Sequence, residues 1–290
     1  MKRADGSIVT FLTQPLPDGA TLIAFVDATA ARRVESALRD RAEAFQAADR
    51  LKTEFVQNVS YQLRSPLTTI LGYAEFLESG KQGSLNAQQM EHVTSILSAS
   101  DHLSRLIENI LDLATIEAGR MDLDLKELDL KNLIHESVDM VVVNAADTKV
   151  SIKVDCPDSI GNIHADERRI KQVLFNLLTN AVRFTAPGDT IKVKAEKAEG
   201  VVRLQVTDTG KGVAYEQQTE AFDAFTSGDN RGAGLGLALV RSFVELHGGW
   251  VAMKSKPNKG ATVICCLPEV ASPKDMPPTL DLANPSVAAQ

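Results

Sequence analysis

The chain has 290 residues, 44% hydrophobic and 24% charged, a composition that excludes a disordered polypeptide and leaves room for one or two domains with real cores. Its formal net charge of -7 argues against nucleic acid or an anionic membrane surface as partner, because phosphates require a basic field. Cys156, Cys265 and Cys266 are odd in number and form no CxxC pair, so neither a disulfide framework nor a zinc site is indicated, and a reducing cytosol fits best.

Residues 8–12 and 21–26 are short β-like runs separated by Pro17-Asp18-Gly19, a hairpin turn. Two strands bury no core alone, so this is either the tail of a larger domain or a poorly ordered leader. There is no signal peptide after Met1 and no run of 18 apolar residues. Because the sequence opens inside a strand-like segment, further sequence upstream is expected, with room for a membrane helix.

From Ala30 to about Ser79 the pattern is helical, with Pro66 as the one interior breaker, expected to kink the helix or loosen its hydrogen bonds. A loop at Gly80, Gly83 and Ser84 leads to a second helix that Gly119 should stop. In it Val93, Ile96, Ser100, Leu103, Ile107, Ile110, Ala114 and Glu117 alternate at spacings of three and four, a heptad seam. Two such hairpins would pair into a dimeric four-helix bundle; the alternative is one hairpin packed on its own domain.

Residues 121–130 alternate and feed a helix from Leu133. Strands are expected at 150–154, 190–195, 201–207, 250–254 and 261–267, with helices around 166–183 and 235–247. This mixture predicts an α+β two-layer sandwich, with helices on one face of a mixed sheet. Residues 270–290 are rich in Pro, Ala and Ser and are expected to be a disordered tail.

Three glycine clusters carry the chemistry of this second half: Asp208-Thr-Gly210-Lys-Gly212, Gly232-Ala-Gly234-Leu-Gly236, and Gly260-Ala-Thr262. Successive glycines let backbone N–H groups approach an anion, and Gly236 opens a helical run whose N-terminus is positive. The spacing fits neither a dinucleotide-binding GxGxxG nor a GxxxxGK[ST] loop. Asp208, ending a strand, suits acceptance of a hydrogen bond from an adenine amino group, although Asp-x-Gly taken alone is more often a turn. Asn176 and Asn180 share a helix face, where an amide oxygen suits Mg²⁺, and Arg183 offers donors for phosphate; each alone would more often be surface.

Together these motifs resemble the catalytic domain of histidine kinases, of the Bergerat or GHKL ATPase fold, over 125–269. By that resemblance Asn180 is the magnesium ligand, Asn176 and Arg183 flank it, with Arg183 where lysine is common, and Asp208, Gly210 and Gly212 form the adenine motif. Phe222-Asp-Ala-Phe225 resembles the phenylalanine motif, and Gly232, Gly234 and Gly236 the glycines of the phosphate lid. ATP and Mg²⁺ follow as the implied cofactors. Only six residues separate Phe225 from Gly232, a short lid with little chain to close over a triphosphate, which bears on the strength of binding.

Residues 51–120 resemble the family's dimerisation and phosphoacceptor hairpin, through Phe55-Val-Gln-Asn-Val-Ser-Tyr61-Gln62-Leu-Arg-Ser65-Pro-Leu67. Tyrosine stands in the histidine's position, Gln62 replaces the adjacent acidic residue, and Ser65 replaces threonine. An imidazole ionises near pH 6.5 and a phenol near 10, so a phenol needs a strong base that Gln62 cannot supply. A phosphotyrosine ester is also too stable to pass its phosphoryl group readily to an aspartate. The leader resembles the last strands of a PAS sensor domain (1–29), ending at Asp27-Ala-Thr29 and feeding a signalling helix (30–50).

The pattern resembles cell-cycle regulators of alphaproteobacteria within this family. It implies a homodimer, binding to a single-domain response regulator, and adjustment of a partner hybrid histidine kinase, as a regulatory pseudokinase. For the full-length protein it implies a cytoplasmic portion and membrane association at the cell pole. The competing expectation is an active kinase that autophosphorylates Tyr61. A chaperone- or topoisomerase-type ATPase fits the ATP motifs but not the heptad hairpin.

Overall fold

The computed structural model describes residues 7–81, 83–198, 200–226 and 234–271, and the chain divides into two compact units, Met1–Val59 and Ser60–Gln290. In the first, β1 (Val9–Pro15) and β2 (Thr21–Asp27) form an antiparallel hairpin whose register runs from Val9 opposite Asp27 to Pro15 opposite Thr21. Gly19, at φ 83°, and the Asp18 carboxylate, which accepts the Ala20 N–H at 3.1 Å, shape the turn. Thr29 starts α1 (Thr29–Glu78); its hydroxyl donates to Asp27 and accepts the Ile8 N–H, which ties the hairpin to the helix start. The helix then continues without interruption through Pro66, which has no N–H to donate to the Gln62 carbonyl. On the far side the Thr68 and Thr69 hydroxyls bond back to the Arg64 and Ser65 carbonyls.

α2 (Ala87–Glu117) opens on a capping box. The Asn86 side chain accepts the Gln89 N–H at 2.8 Å, and the Gln89 side chain accepts the Asn86 N–H at 2.9 Å. It ends where Gly119, at φ 63°, lets the Gly119 and Arg120 N–H groups turn back on Ile116 and Thr115. The two helices bury one register of their heptads. Ser60, Leu67 and Ala74 on α1 and Val93, Ser100, Ile107 and Ala114 on α2 recur every seventh residue and are all buried. The alternate register, Leu63, Ile70 and Leu77 with Ile96 and Leu103, stays 44–48% exposed.

The rest of the second unit is the expected two-layer α+β domain. Its five-stranded sheet has the order β4 (Ser151–Asp155), β6 (Thr190–Ala198), β7 (Val201–Asp208), β9 (Ala261–Pro268), β8 (Trp250–Ser255). β4 and β6 are parallel, joined by the crossover through α4 (Glu167–Phe184), and the other neighbours are antiparallel. α4, α3 (Leu130–Asp147) and α6 (Gly236–Leu246) cover one face, while α5 (Tyr215–Gln218) is a single turn. α4 turns Ile170, Val173, Leu174, Leu177, Leu178 and Ala181 into the core, the face its 3.6-residue period requires. They meet Val202, Leu204 and Val206 of β7 and Phe243 and Val244 of α6.

An unexpected strand, β5 (Asn162–Asp166), pairs antiparallel with β3 (Leu125–Asp129) in a separate two-stranded sheet. The residues that follow β9 return to it: the His164 N–H donates to the Glu269 carbonyl at 2.9 Å. The expected disordered tail lies, from residue 272 onward, outside the described residues. Among the described residues no helix is long and apolar enough to cross a membrane.

Candidate functional site

The ends of β7 and α4 and the start of α6 converge on a cavity of about 790 Å³, within the range of small-molecule sites. Asn180, Arg183, Asp208, Gly212, Gly234 and Gly236 line it. Gly210 lines an adjoining cleft of about 510 Å³, which shares Arg183, Phe184 and Lys211 with the first. Asn176 lies one turn before Asn180, and both side chains back Gly236, where an added Cβ would lie 3.4 Å from Asn180 Nδ2. Gly232 falls outside the described residues.

Asp208 is anchored rather than pointing loosely from a strand end. Its Oδ1 accepts the Gly210 N–H at 2.9 Å and the Ala261 N–H at 3.3 Å. Burial nevertheless pushes its carboxyl above the ordinary range, outweighing these two hydrogen bonds, which favour the charged form. The glycines beside it have a packing role that the sequence reading missed. A Cβ on Gly210 would lie 2.0 Å from the Phe184 carbonyl oxygen, and one on Gly260 would lie 1.9 Å from that of Asp208. Gly212, at φ 65°, would meet the Lys256 carbonyl at 2.1 Å. These clusters are glycine because main chain closes on main chain, which in turn fixes the Asp208 carboxylate at the cavity wall.

Two cations flank the mouth on one aromatic ring: Arg183 and Lys211 lie 4.7 and 4.8 Å from the Phe184 ring centre. Among the described residues two buried side-chain polar atoms lack a hydrogen-bond partner, His164 Nδ1 beside β3 and, at this site, Asn176 Nδ2. Phe222 is buried, whereas Phe225 is 67% exposed at φ 66°, its N–H donating to the Gly234 carbonyl. His247 is structural. Its Nδ1 bonds the Phe243 carbonyl at 2.7 Å and its Nε2 accepts the Asp166 N–H at 3.1 Å, so it is the neutral Nδ1–H tautomer, and burial holds its pKa below the usual imidazole range.

Tyr61, Gln62 and Ser65 do not line the cavity; all three are exposed on α1, Tyr61 at 73%. Instead the hairpin contributes residues of α2: His102, Leu106 and Asn109 line the cavity, a role no motif announced. A short stretch further along, Asp112 accepts from Arg169 at 2.9 Å and Gln172 at 3.1 Å, and the ion pair is only 13% and 16% exposed.

Comparison with known proteins supplies the family. Residues 51–119 match the model of the His Kinase A (phospho-acceptor) domain, and residues 165–271 that of the histidine kinase-, DNA gyrase B-, and HSP90-like ATPase. Over 280 residues, 97% of this chain, it is 44% identical to the sensor protein DivL of Caulobacter vibrioides. The chain belongs to the sensor histidine kinase family. This histidine kinase homologue is also 35% identical over 260 residues, 87% of its length, to the circadian input-output histidine kinase CikA of Thermosynechococcus vestitus. It covers 36% of each of those relatives, so it spans about a third of their length. Among solved structures, full-length ShkA in complex with AMPPNP matches 76% of the homologue and 47% of its own chain, at 32% identity and a TM-score of 0.65.

Proposed function

We infer that this chain is the dimerising, ATP-binding core of a two-component regulator that retains the nucleotide site of a histidine kinase and has lost the phosphoryl relay. The observation that carries this reading is Tyr61, within the stretch matching the phospho-acceptor model, exposed and flanked by the neutral amide of Gln62. The residues one helical turn to either side, Gln57, Asn58, Arg64 and Ser65, include no carboxylate, so α1 offers no neighbouring base for a phenolic proton. Ser65 retains a hydroxyl but no acidic partner at Gln62.

The site fits Mg-ATP. Asp208, held by two amides at the cavity wall, would accept from an adenine amino group, and the unpartnered Asn176 amide beside Gly236 and Asn180 supports a polar ligand there. Asn180 would ligate Mg²⁺, which when bound neutralises phosphate charge, while Arg183 and the N–H groups at the start of α6 would bind phosphate oxygens. Gly210 and Gly212 would shape the adenine end, and Gly234 and Gly236 the phosphate end, to which the motif also assigns Gly232. The AMPPNP in the ShkA structure is consistent with this assignment.

The exposed heptad register of the hairpin supports a homodimer through a four-helix bundle. A single-domain response regulator would dock around Tyr61 and the lower half of both helices, with Arg64, Lys81 and Arg105 as a steering rim. In the whole protein, a pseudokinase of this kind would adjust a partner hybrid histidine kinase in cell-cycle control, with β1 and β2 as the end of a PAS sensor domain and the full-length protein associated with the membrane at the cell pole.

Calorimetric titration of the dimer with ATP in Mg²⁺ tests the retained half of this account. Saturable binding that Asn180→Ala and Asp208→Ala each abolish is expected. Absence of binding to the unaltered protein would reduce the domain to a scaffold.

A further inference from the structure

α2 carries two stripes with different tasks. One is the heptad register buried in the hairpin. The other is His102, Leu106, Asn109, Leu113 and Ile116, again at spacings of four and three, and therefore along one helix face. Leu113 and Ile116 pack against the core of the ATPase domain, and the three residues above them line the nucleotide cavity. Beside this stripe, Asp112 reaches Arg169 and Gln172 of α4 in a largely buried ion pair.

Arg169 is the hub of the contact. Its backbone N–H is held by Asp166, the N-cap of α4, and its guanidinium stacks 5.0 Å from the Phe243 ring of α6. α6 begins at Gly236, on the cavity wall. The ion pair therefore joins α2 to both helices that frame the site. A pair so little exposed has already given up its water, and removing one member leaves the other buried and unpaired.

From this geometry we propose that α2 is the outer wall of the nucleotide site, with His102 and Asn109 as nucleotide-contacting residues and Asp112–Arg169–Gln172 as the latch that holds the wall in place. The inference rests on the nucleotide reading above and extends it: affinity for nucleotide becomes a property of how the hairpin is docked. By linkage, bound nucleotide in turn favours the docked hairpin. Asn109 offers both an amide donor and an acceptor, and His102 a ring nitrogen, to the polar groups of the ligand.

The test is titration of the full chain with ATP in Mg²⁺, using unaltered protein, the double variant His102→Ala/Asn109→Ala, Asp112→Ala, and the exchange Asp112→Arg/Arg169→Asp. The wall and latch variants should each weaken binding by about three- to ten-fold, the loss of one or two hydrogen bonds. The wall variant should do so with an unchanged melting temperature in the absence of ligand, and the charge exchange should recover part of the loss seen with Asp112→Ala. Adding Asp112→Ala to the wall variant should weaken binding little further, because an open wall has no contact left to lose. Unaltered protein that binds ATP alongside variants of equal or greater affinity would overturn the wall and latch while leaving the nucleotide site intact. Failure of the unaltered protein itself to bind would overturn both.

Discussion

The hairpin and the ATPase domain resolve their apolar residues in opposite ways. The domain closes its core within one chain: Leu130, Ile134, Ile170, Leu174, Leu204 and Phe243 are all fully buried. The hairpin buries every seventh residue and leaves the alternate register nearly half exposed. The first is closed on itself, and the second leaves an apolar register open for the second copy that the proposed four-helix bundle requires. Chemistry divides along the same line, since Asn180, Arg183, Asp208, Gly212, Gly234 and Gly236, proposed to bind nucleotide, line one cavity, while α1 exposes Tyr61 and Gln62.

The difference is open to attack by substitution, beginning with the largest effect. Phe243→Ala removes a fully buried ring that also stacks on Arg169, and should cost about 3–5 kcal/mol in chemical denaturation. A loss below about 1 kcal/mol would mean the core is not closed as described. Gly260→Ala forces a Cβ against the Asp208 carbonyl at φ 78° and should cost at least about 1 kcal/mol together with loss of ATP binding. Normal affinity in that variant would separate Asp208 from the glycine packing.

His247 gives the domain a pH signature. Its folded-state pKa lies below its unfolded value, so its contribution is complete above about pH 6.5 and is lost as pH falls below that point. The slope it adds is at most about 1.4 kcal/mol per pH unit. The urea midpoint should therefore drop between pH 7.5 and 5.5, and the ring nitrogens of His247 should titrate at lower pH than those of an unfolded-chain histidine. A ring that titrates no lower would remove His247 as the source. Asp208, shifted upward, acts with the opposite sign in the more acidic carboxylate range. The smallest effect on the domain comes from the hairpin. Ile70→Asp with Leu103→Asp should convert dimer to monomer by light scattering and leave the melting of the ATPase domain within about 0.5 kcal/mol. A dimer that survives would require another interface.

The sheet was legible because Val202, Leu204 and Val206 alternate with polar residues along one buried face, and Ile191, Val193 and Ala195 of β6 repeat the pattern. β5 was not, because Asn162-Ile-His-Ala-Asp166 offers two apolar residues in five and acquires its pairing only from β3, more than thirty residues earlier. Within the site the residue types were legible as motifs, yet the reason for Gly210, Gly212 and Gly260 lies in carbonyl oxygens contributed by distant segments. The Asp112–Arg169 contact spans 57 positions and had no local sign. The stripe at His102, Leu106 and Asn109 did have one, since Leu113 and Ile116 continue it with apolar residues, but the stronger heptad seam on the same helix masked it.

In the proposed function nucleotide binding has outlived the relay. Incubating the dimer with γ-labelled ATP and Mg²⁺, beside Tyr61→Phe and Tyr61→His, tests it most directly. No stable label is expected on the unaltered protein, none on Tyr61→Phe, and little on Tyr61→His, because Gln62 remains. Label on the unaltered protein that disappears in Tyr61→Phe would contradict it and make the chain an active tyrosine autokinase.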